Sequence, residues 1–175
     1  MGRVEASGIV EAEAEELFHF TDWCYNDPVW APSISKAWIT KLPDSSGLGK
    51  VSHYVGTIMG RKAEWEGEST NWKPNEVWGM KAITGPPAKM KMQNEMRFEK
   101  LGPGKTRVRF VVEYHAPYPI VGIILDRLYL RSKAQVHARN AIEGMKSAQQ
   151  RKVPSLLMQF EKRKSDHPGY RPPDL

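Results

Sequence analysis

The sequence lacks several residue patterns, and their absence excludes whole classes of site. It has a single cysteine, Cys24, so an internal disulfide is excluded and a cysteine-based metal cluster is not expected. No HExxH spacing, glycine-rich phosphate loop or dinucleotide fingerprint occurs. We therefore expect no bound metal, no cofactor and no nucleotide chemistry. The five histidines follow no metal-ligand spacing: His19, His53, His115, His137 and His167.

The chain also lacks an apolar run long enough to cross a bilayer, and its first residues do not have the pattern of a secretory signal. We therefore expect a soluble, cytoplasmic protein. With 175 residues and 40% hydrophobic composition, it is long enough for one domain with a real core but too short for two. The net charge of +6 is compatible with an anionic membrane surface or nucleic acid as partner, but requires neither.

Strand-like runs alternate with turn signals over the first two thirds of the chain, as in an antiparallel meander. The predicted strands are residues 4–10, 34–42, 50–59, 62–72, 76–84, 88–99 and 106–115. Between the first two, residues 14–21 have helical spacing, and the segment DWCYNDPVWAP indicates a second helical turn and a loop. Its aromatic residues Trp23, Tyr25 and Trp30 either pack under the sheet or lie near a cavity mouth.

Alternation is clearest in the sixth and seventh predicted strands, which is the pattern of a sheet covered on one side. This surface is either ordinary core or an adaptable lining for apolar ligands, because methionine is unbranched and polarizable. The apolar face of the sixth strand carries Met90, Met92, Asn94, Met96 and Phe98, and that of the seventh carries Val108, Phe110, Val112 and Tyr114.

Residues 119–150 have sustained helical periodicity and no internal proline, which predicts a helix about 45 Å long. A helix of this length needs a broad, curved sheet as its partner. Arg127 and Arg131 fall near the middle of the apolar face. Either the helix starts later, bends or lets both side chains reach solvent, or they point into a partly open cavity and meet a ligand carboxylate or phosphate.

The composition changes after residue 150. Residues 151–175 carry basic side chains, have apolar residues at helical spacing and end in a proline-rich segment. We predict a domain of residues 1–150 followed by a basic, amphipathic tail. The tail would dock on the protein itself or on a second subunit, or make peripheral contact with a membrane. The chain would then be a monomer or a homodimer.

Several phrases and the order of elements resemble the START-like, or SRPBCC, superfamily, which includes polyketide cyclases and coenzyme Q-binding proteins. The phrases are IVEAEAEELFHFTD, GLGKVSHYVG, EGESTNWKPNEVWGMKAITGP and GKTRVRFVVEYHAP with the helix that follows it. The resemblance covers roughly residues 4–150 and implies an α+β helix-grip fold. In that fold a curved, seven-stranded antiparallel sheet wraps around a long C-terminal helix over an apolar cavity, with two short helices between strands 1 and 2.

The resemblance implies the binding or transport of a hydrophobic small molecule, such as a lipid, an isoprenoid or a polyketide-like compound. It supplies no universal catalytic residue. Asn94 either orients a ligand or bonds to a neighbouring side chain or water. The predicted ligand-binding residues are Tyr54, Trp65, Trp78, Met80, Met90, Met92, Asn94, Met96, Phe110, Val112, Tyr114, Ile124, Arg127 and Arg131.

Two other functions stay open at this point. A cyclase or dehydratase-type enzyme would use Arg127, Tyr114, His115 or Asn94 to polarise a carbonyl group in the cavity. A partner-binding module, like the chaperone activators of this superfamily, would need no ligand, and nucleic-acid binding is not expected. The glutamates of the fourth strand share one face, and we interpret them as solvated rather than as acid/base groups or metal ligands: Glu64, Glu66 and Glu68.

Overall fold

The computed structural model describes residues 1–58, 60–115 and 129–150. Seven strands in these ranges form one antiparallel sheet, in the spatial order β1-β7-β6-β5-β4-β3-β2. The strands are β1 (Gly2–Val10), β2 (Ile34–Lys41), β3 (Val51–Ile58), β4 (Arg61–Lys73), β5 (Val77–Ala82), β6 (Gln93–Gly102) and β7 (Lys105–Tyr114). The predicted fold class, a seven-stranded helix-grip sheet with a C-terminal helix, is confirmed.

The helical segments occupy the connections at either end of this sheet. Helix α1 (Ala14–Asp22), a 3₁₀ turn (Cys24–Asn26) and helix α2 (Asp27–Trp30) link β1 to β2, as predicted from the two short helical patterns. Helix α3 (Gly85–Lys89) lies between β5 and β6, and helix α4 (Arg131–Gln150) follows β7. No helix of the described ranges is both long and apolar enough to span a membrane.

Strand register brings the large apolar side chains together on the inner face. Met96 of β6 lies opposite Trp78 of β5 on one side and Phe110 of β7 on the other. All three belong to the main hydrophobic cluster. Alternation along each strand keeps these residues on one face, because successive side chains point to opposite sides of a sheet.

Helix α4 packs against β1 and β7 and against α2. Its buried residues Ala138, Ala141, Ile142, Met145 and Ala148 follow the predicted spacing of three and four. Most of them are small, so the helix lies close to the sheet. Residues 119–128 of the predicted long helix and the tail 151–175 lie outside the described residues, so the tail's partner stays a prediction.

The predicted sixth strand begins too early. Residues Gly85–Lys89 form helix α3 with proline in its first turn, where the missing N–H is not needed. Lys91 then adopts a positive φ of 46°, and β6 begins only at Gln93. Met90 and Met92 therefore do not share one strand with Asn94. The backbone still joins them to the sheet, since Ala82 N donates to Met92 O and His115 N to Met90 O.

Candidate functional site

A cavity of about 270 Å³ lies between the inner face of the sheet and helices α1, α2 and α4. This volume falls just below the ~300–1,000 Å³ usual for small-molecule sites. Strands β3 to β7 and α4 all contribute to its walls. The aromatic and large apolar residues that line it are Trp30, Ile34, Tyr54, Ile58, Trp65, Trp78, Met80, Met90, Met92, Phe110, Tyr114, Leu130 and Val136.

Aromatic and sulfur contacts fix the shape of the apolar wall. The rings of Tyr54 and Trp65 stack with centroids 5.4 Å apart and planes 16° from parallel. The Tyr54 hydroxyl donates to Met80 Sδ at 3.3 Å. Gly67 lets Met80 lie flat across β4, because a Cβ at that position would overlap the Met80 thioether. Trp78 is held on the other side by its Nε1, which donates to Thr21 Oγ1 at 2.9 Å.

Charged side chains line the part of the cavity next to α1 and α2. Lys50 Nζ donates to both the backbone oxygen and Oδ1 of Asp22, each at 2.6 Å. The Lys50 and Asp22 side chains are only 8% and 12% exposed. Because Asp22 is the last residue of α1, the ammonium also lies at the negative end of that helix. Asp27 at the start of α2 and Ser52 of β3 line the same region.

Burial keeps the weak acids of this region protonated. It raises the pKa of the Cys24 thiol to about 12, and the nearby Asp27 carboxylate adds to the shift. Burial also raises the pKa of the Tyr54 phenol well above its usual range, again reinforced by Asp27. Neither group supplies an anionic nucleophile near neutral pH, since the thiolate is the nucleophilic form of cysteine.

His137 of α4 faces the cavity from the opposite side. Its Nδ1 lies 3.3 Å from Ser33 Oγ, and its ring centroid is 6.0 Å from that of Phe110. Burial lowers the pKa of the imidazole, so His137 is neutral near pH 7. A neutral imidazole can accept a proton from a bound molecule, or act only as a hydrogen-bonding wall.

The structure brings most of the predicted ligand-binding residues to this cavity. Met96 and Val112 are fully buried in the core instead of lining it. Arg131 is exposed and is not part of the lining, because α4 turns its side chain away from the cavity. Ile124 and Arg127 lie outside the described residues. The predicted residues that line the cavity are Tyr54, Trp65, Trp78, Met80, Met90, Met92, Asn94, Phe110 and Tyr114.

Asn94 Oδ1 and Trp30 Nε1 are buried polar atoms of the cavity wall that have no hydrogen-bond partner within the described ranges. Of the other loop aromatics, Trp23 and Tyr25 pack together with Ile39 of β2, away from the cavity lining. Trp23 and Tyr25 therefore follow the interpretation as packed core residues, and Trp30 follows the interpretation as a residue at the cavity.

The remaining predicted groups lie outside the cavity. Glu64 is exposed and lies 3.5 Å from His53, whose ring stacks on Trp38. Glu68 pairs with Lys81 at 2.7 Å. His115 is exposed and is not part of the lining. In the part of the chain that the structure describes, no three His, Cys, Asp or Glu residues come together as a metal site.

Sequence reasoning missed several polar groups of the cavity, namely Asp22, Asp27, Lys50, Ser52 and His137. One signal pointed to two of them. Asp22 and Asp27 are the only acidic residues of the aromatic segment DWCYNDPVWAP, where carboxylates are unexpected. Lys50 lies 28 residues from Asp22 along the chain, so no local pattern connects the two residues.

Neither a family model nor a curated protein matches the sequence. Solved structures do match. TTHA0849 from Thermus thermophilus superposes with a TM-score of 0.69 and 18% identity over 90% of this chain and 99% of its own. A START superfamily protein from Mycobacterium smegmatis superposes with a TM-score of 0.66 and 19% identity, over 81% of this chain and 94% of its own. For the Zhui aromatase/cyclase from Streptomyces sp. R1128, the TM-score is 0.58 and the identity 16%, over 97% of this chain and 99% of its own. The chain therefore has the START-like helix-grip fold.

Proposed function

We propose that the protein binds a hydrophobic small molecule in the cavity between the sheet and α4. The observation that carries this proposal is the lining itself, in which aromatic and methionine side chains from four strands, together with Met90 and Met92, surround a space of about 270 Å³. Pockets that are mostly apolar with a few polar groups are the usual form of small-molecule sites.

Enclosure would supply most of the binding free energy. Apolar area removed from water contributes roughly 25 cal/mol per Å², so a ligand burying about 300 Å² would gain roughly 7 kcal/mol before ordering costs. A lipid, isoprenoid or polyketide-like compound fits this description. An aromatase/cyclase among the structures of the same fold supports the polyketide-like class.

A cavity-filling substitution tests the proposal. Met92 lines the cavity and is only partly buried, so Met92→Trp should occupy the space without disturbing fully packed core. We expect at least a tenfold loss of affinity for the neutral dye N-phenylnaphthylamine, measured by fluorescence titration. Leu101→Trp introduces the same side chain near the β6–β7 turn, away from the lining, and should bind like the parent.

Unchanged dye binding by folded Met92→Trp protein would contradict the proposed site. Native mass spectrometry of the freshly purified parent, followed by organic extraction, would identify any compound that co-purifies. The same compound should be absent from Met92→Trp protein. Its chemical class would also show directly whether the ligand is lipid, isoprenoid or polyketide-like.

His137 favours a second candidate, a cyclase or dehydratase-type activity in the same cavity. Its neutral imidazole lines the space together with Tyr114 and Asn94, so a proton acceptor and hydrogen-bonding groups face one volume. The extraction experiment separates the candidates. A compound that rebinds and is recovered unchanged supports a carrier, whereas one that is converted during incubation supports an enzyme.

A further inference from the structure

The cavity reaches the protein surface at one end of the sheet. Because neighbouring strands are antiparallel, the β3–β4 turn, the β5–β6 connection and the end of β7 all lie at that end. Strand β1 starts there, opposite the end of β7. Helix α4 begins there too, since Gln135 Nε2 donates to Glu5 O. Further along β1, Ile142 of α4 lies beside Gly8. The exposed residues of the cavity lining belong to or border these connections and the first half of α4: Thr57, Gly60, Gln93, Lys133, Val136 and Asn140.

The segments around this opening carry positive charge and no negative charge. We call residues 57–58, 60–62, 83–92 and 129–140 the cavity rim. The rim contains seven of the chain's 26 lysines and arginines and none of its 20 aspartates and glutamates. All seven are exposed: Arg61, Lys62, Lys89, Lys91, Arg131, Lys133 and Arg139. An anionic partner is therefore attracted to the end of the sheet at which the cavity opens.

Neighbouring residues do not neutralise the rim. Among the ion pairs of the described ranges, none includes a rim cation, whereas Arg3 and Arg107 of the outer sheet face pair with glutamates. Glu64, the first acid after the rim in β4, lies 3.5 Å from His53. By sequence, residues 116–128 add one aspartate and one arginine, and residues 151–175 add three acidic residues and six lysines and arginines. These stretches therefore do not reverse the sign of the charge.

Exposed apolar side chains lie among the rim cations. Ile83 is 40% exposed, Tyr129 41% and Val136 49%. Val136 also lines the cavity, and Lys133 Nζ lies 5.5 Å from the Tyr129 ring centroid. Basic side chains, tyrosine and aliphatic residues on one surface are typical of proteins that lie at a membrane interface. There the cations meet anionic headgroups and the apolar groups enter the acyl boundary.

We propose that the cavity rim docks on an anionic lipid bilayer, so that the open end of the cavity faces the membrane. Charge alone fits any polyanion, but Ile83 and Val136 favour a bilayer over a nucleic acid, because aliphatic side chains gain free energy on entering an apolar phase. The rim is distinct from residues 151–175, whose membrane contact is a separate prediction. This inference goes beyond ligand binding, since it assigns the route by which an apolar ligand passes between bilayer and cavity.

Co-sedimentation of the full-length protein with vesicles tests the inference. One set of vesicles contains phosphatidylcholine alone, and the other contains an equal mixture of phosphatidylcholine and phosphatidylglycerol. We expect at least tenfold tighter binding to the anionic vesicles at low salt, with a loss of affinity as the salt concentration rises. Single-stranded DNA is titrated in the same buffers, to compare a polyanion that has no apolar phase.

Two double variants locate the docking surface. Arg61→Glu combined with Arg131→Glu reverses two exposed rim charges outside the cavity lining and should weaken binding to anionic vesicles at least tenfold. Lys41→Glu combined with Lys105→Glu makes the same change in net charge at the opposite end of the sheet and should bind within threefold of the parent. Ile83→Ser should weaken vesicle binding at least threefold and leave DNA binding unchanged, because it removes an apolar group and no charge.

Each contrary result identifies what is wrong. Equal binding to neutral and anionic vesicles would overturn the inference, and so would equal losses in the two double variants. Unchanged vesicle binding by the folded rim variant would assign the membrane contact to another surface, such as residues 151–175. Tighter binding of DNA than of anionic vesicles would make nucleic acid the partner of the rim. Vesicle binding that depends on the rim in a protein that binds no dye would keep the docking surface and contradict the proposed ligand-binding function.

Discussion

His137 combines burial, a lowered pKa and a position in the cavity wall. In the unfolded chain a histidine titrates near 6.5, whereas burial holds the folded His137 neutral to lower pH. Between these two pKa values only the unfolded state binds the proton. His137 therefore favours folding fully above pH 6.5, and this contribution is lost as the pH falls toward the lowered folded pKa.

As the pH falls from about 6.5 to about 5, we expect the free energy of unfolding to decrease less steeply in His137→Gln than in the parent. The two slopes should differ by less than about 1.4 kcal/mol per pH unit. Urea titrations across this range measure the effect. Some dependence should remain, because burial also lowers the pKa of His19. The exposed His115→Gln serves as the control, and a His137→Gln profile parallel to the parent's would contradict the assignment.

Individual side chains were predictable where strand alternation governs them. Trp65, Trp78 and Phe110 reached the cavity because each occupies an inward position of a regular strand. Asp22 and Lys50 were not predictable, since their pairing depends on how α1 and β3 meet in three dimensions. Arg131 was misplaced because a helical wheel shows which residues share a face but not how the helix is rotated over its partner.

At the level of elements, the contact between α2 and α4 depends on the absence of a side chain. Gly144 of α4 lies against the backbone of α2, where a Cβ would overlap the carbonyl oxygen and carbon of Trp30. Backbone atoms cannot move aside as the end of a flexible side chain can. Overpacking of this kind costs ~1–3 kcal/mol. Alanine is better than glycine in a helix by about 1 kcal/mol, which is too little to compensate for a severe overlap.

Gly144→Ala should therefore lower the free energy of unfolding by about 2 kcal/mol, measured by urea denaturation. Gly102→Ala is the matched control. A Cβ there meets nothing within 4 Å, so its effect should stay within about 0.5 kcal/mol. A stabilised Gly144→Ala protein would show that α4 can shift on α2 without cost.

Periodicity predicted the strands and helices themselves more accurately than it predicted where each begins and ends. All seven strands and the buried face of α4 were anticipated, because both patterns repeat over many residues. The start of β6 was not. The alternation of Met90, Met92 and Asn94 resembles a strand, yet prolines in α3 and the positive φ of Lys91 break it. A short alternating run next to a Gly-Pro-Pro turn is thus a weak strand signal.

For the whole molecule, the fold was predictable and the ligand was not. The sequence carries the order of strands and helices, and that order suffices to predict a sheet with a helix over its inner face. Whether the side chains of that face fill the core or leave a cavity depends on a few individual residues. Met96 and Val112 are core, whereas Met80 and Phe110, on the same face, line the cavity.

The net charge of +6 makes ionic strength a test of where binding takes place. A ligand held by apolar enclosure should lose little affinity as salt rises, because screening acts mainly on exposed charges. A polyanion held by surface Lys and Arg loses affinity steeply, since binding releases counterions.

We expect the dissociation constant of N-phenylnaphthylamine to change less than about twofold between roughly 0.05 and 0.5 M NaCl. Single-stranded DNA, titrated in the same buffers, measures the surface contribution, which should disappear at the higher salt. A dye affinity that falls in parallel with DNA binding would place the dye on the charged surface and not in the cavity.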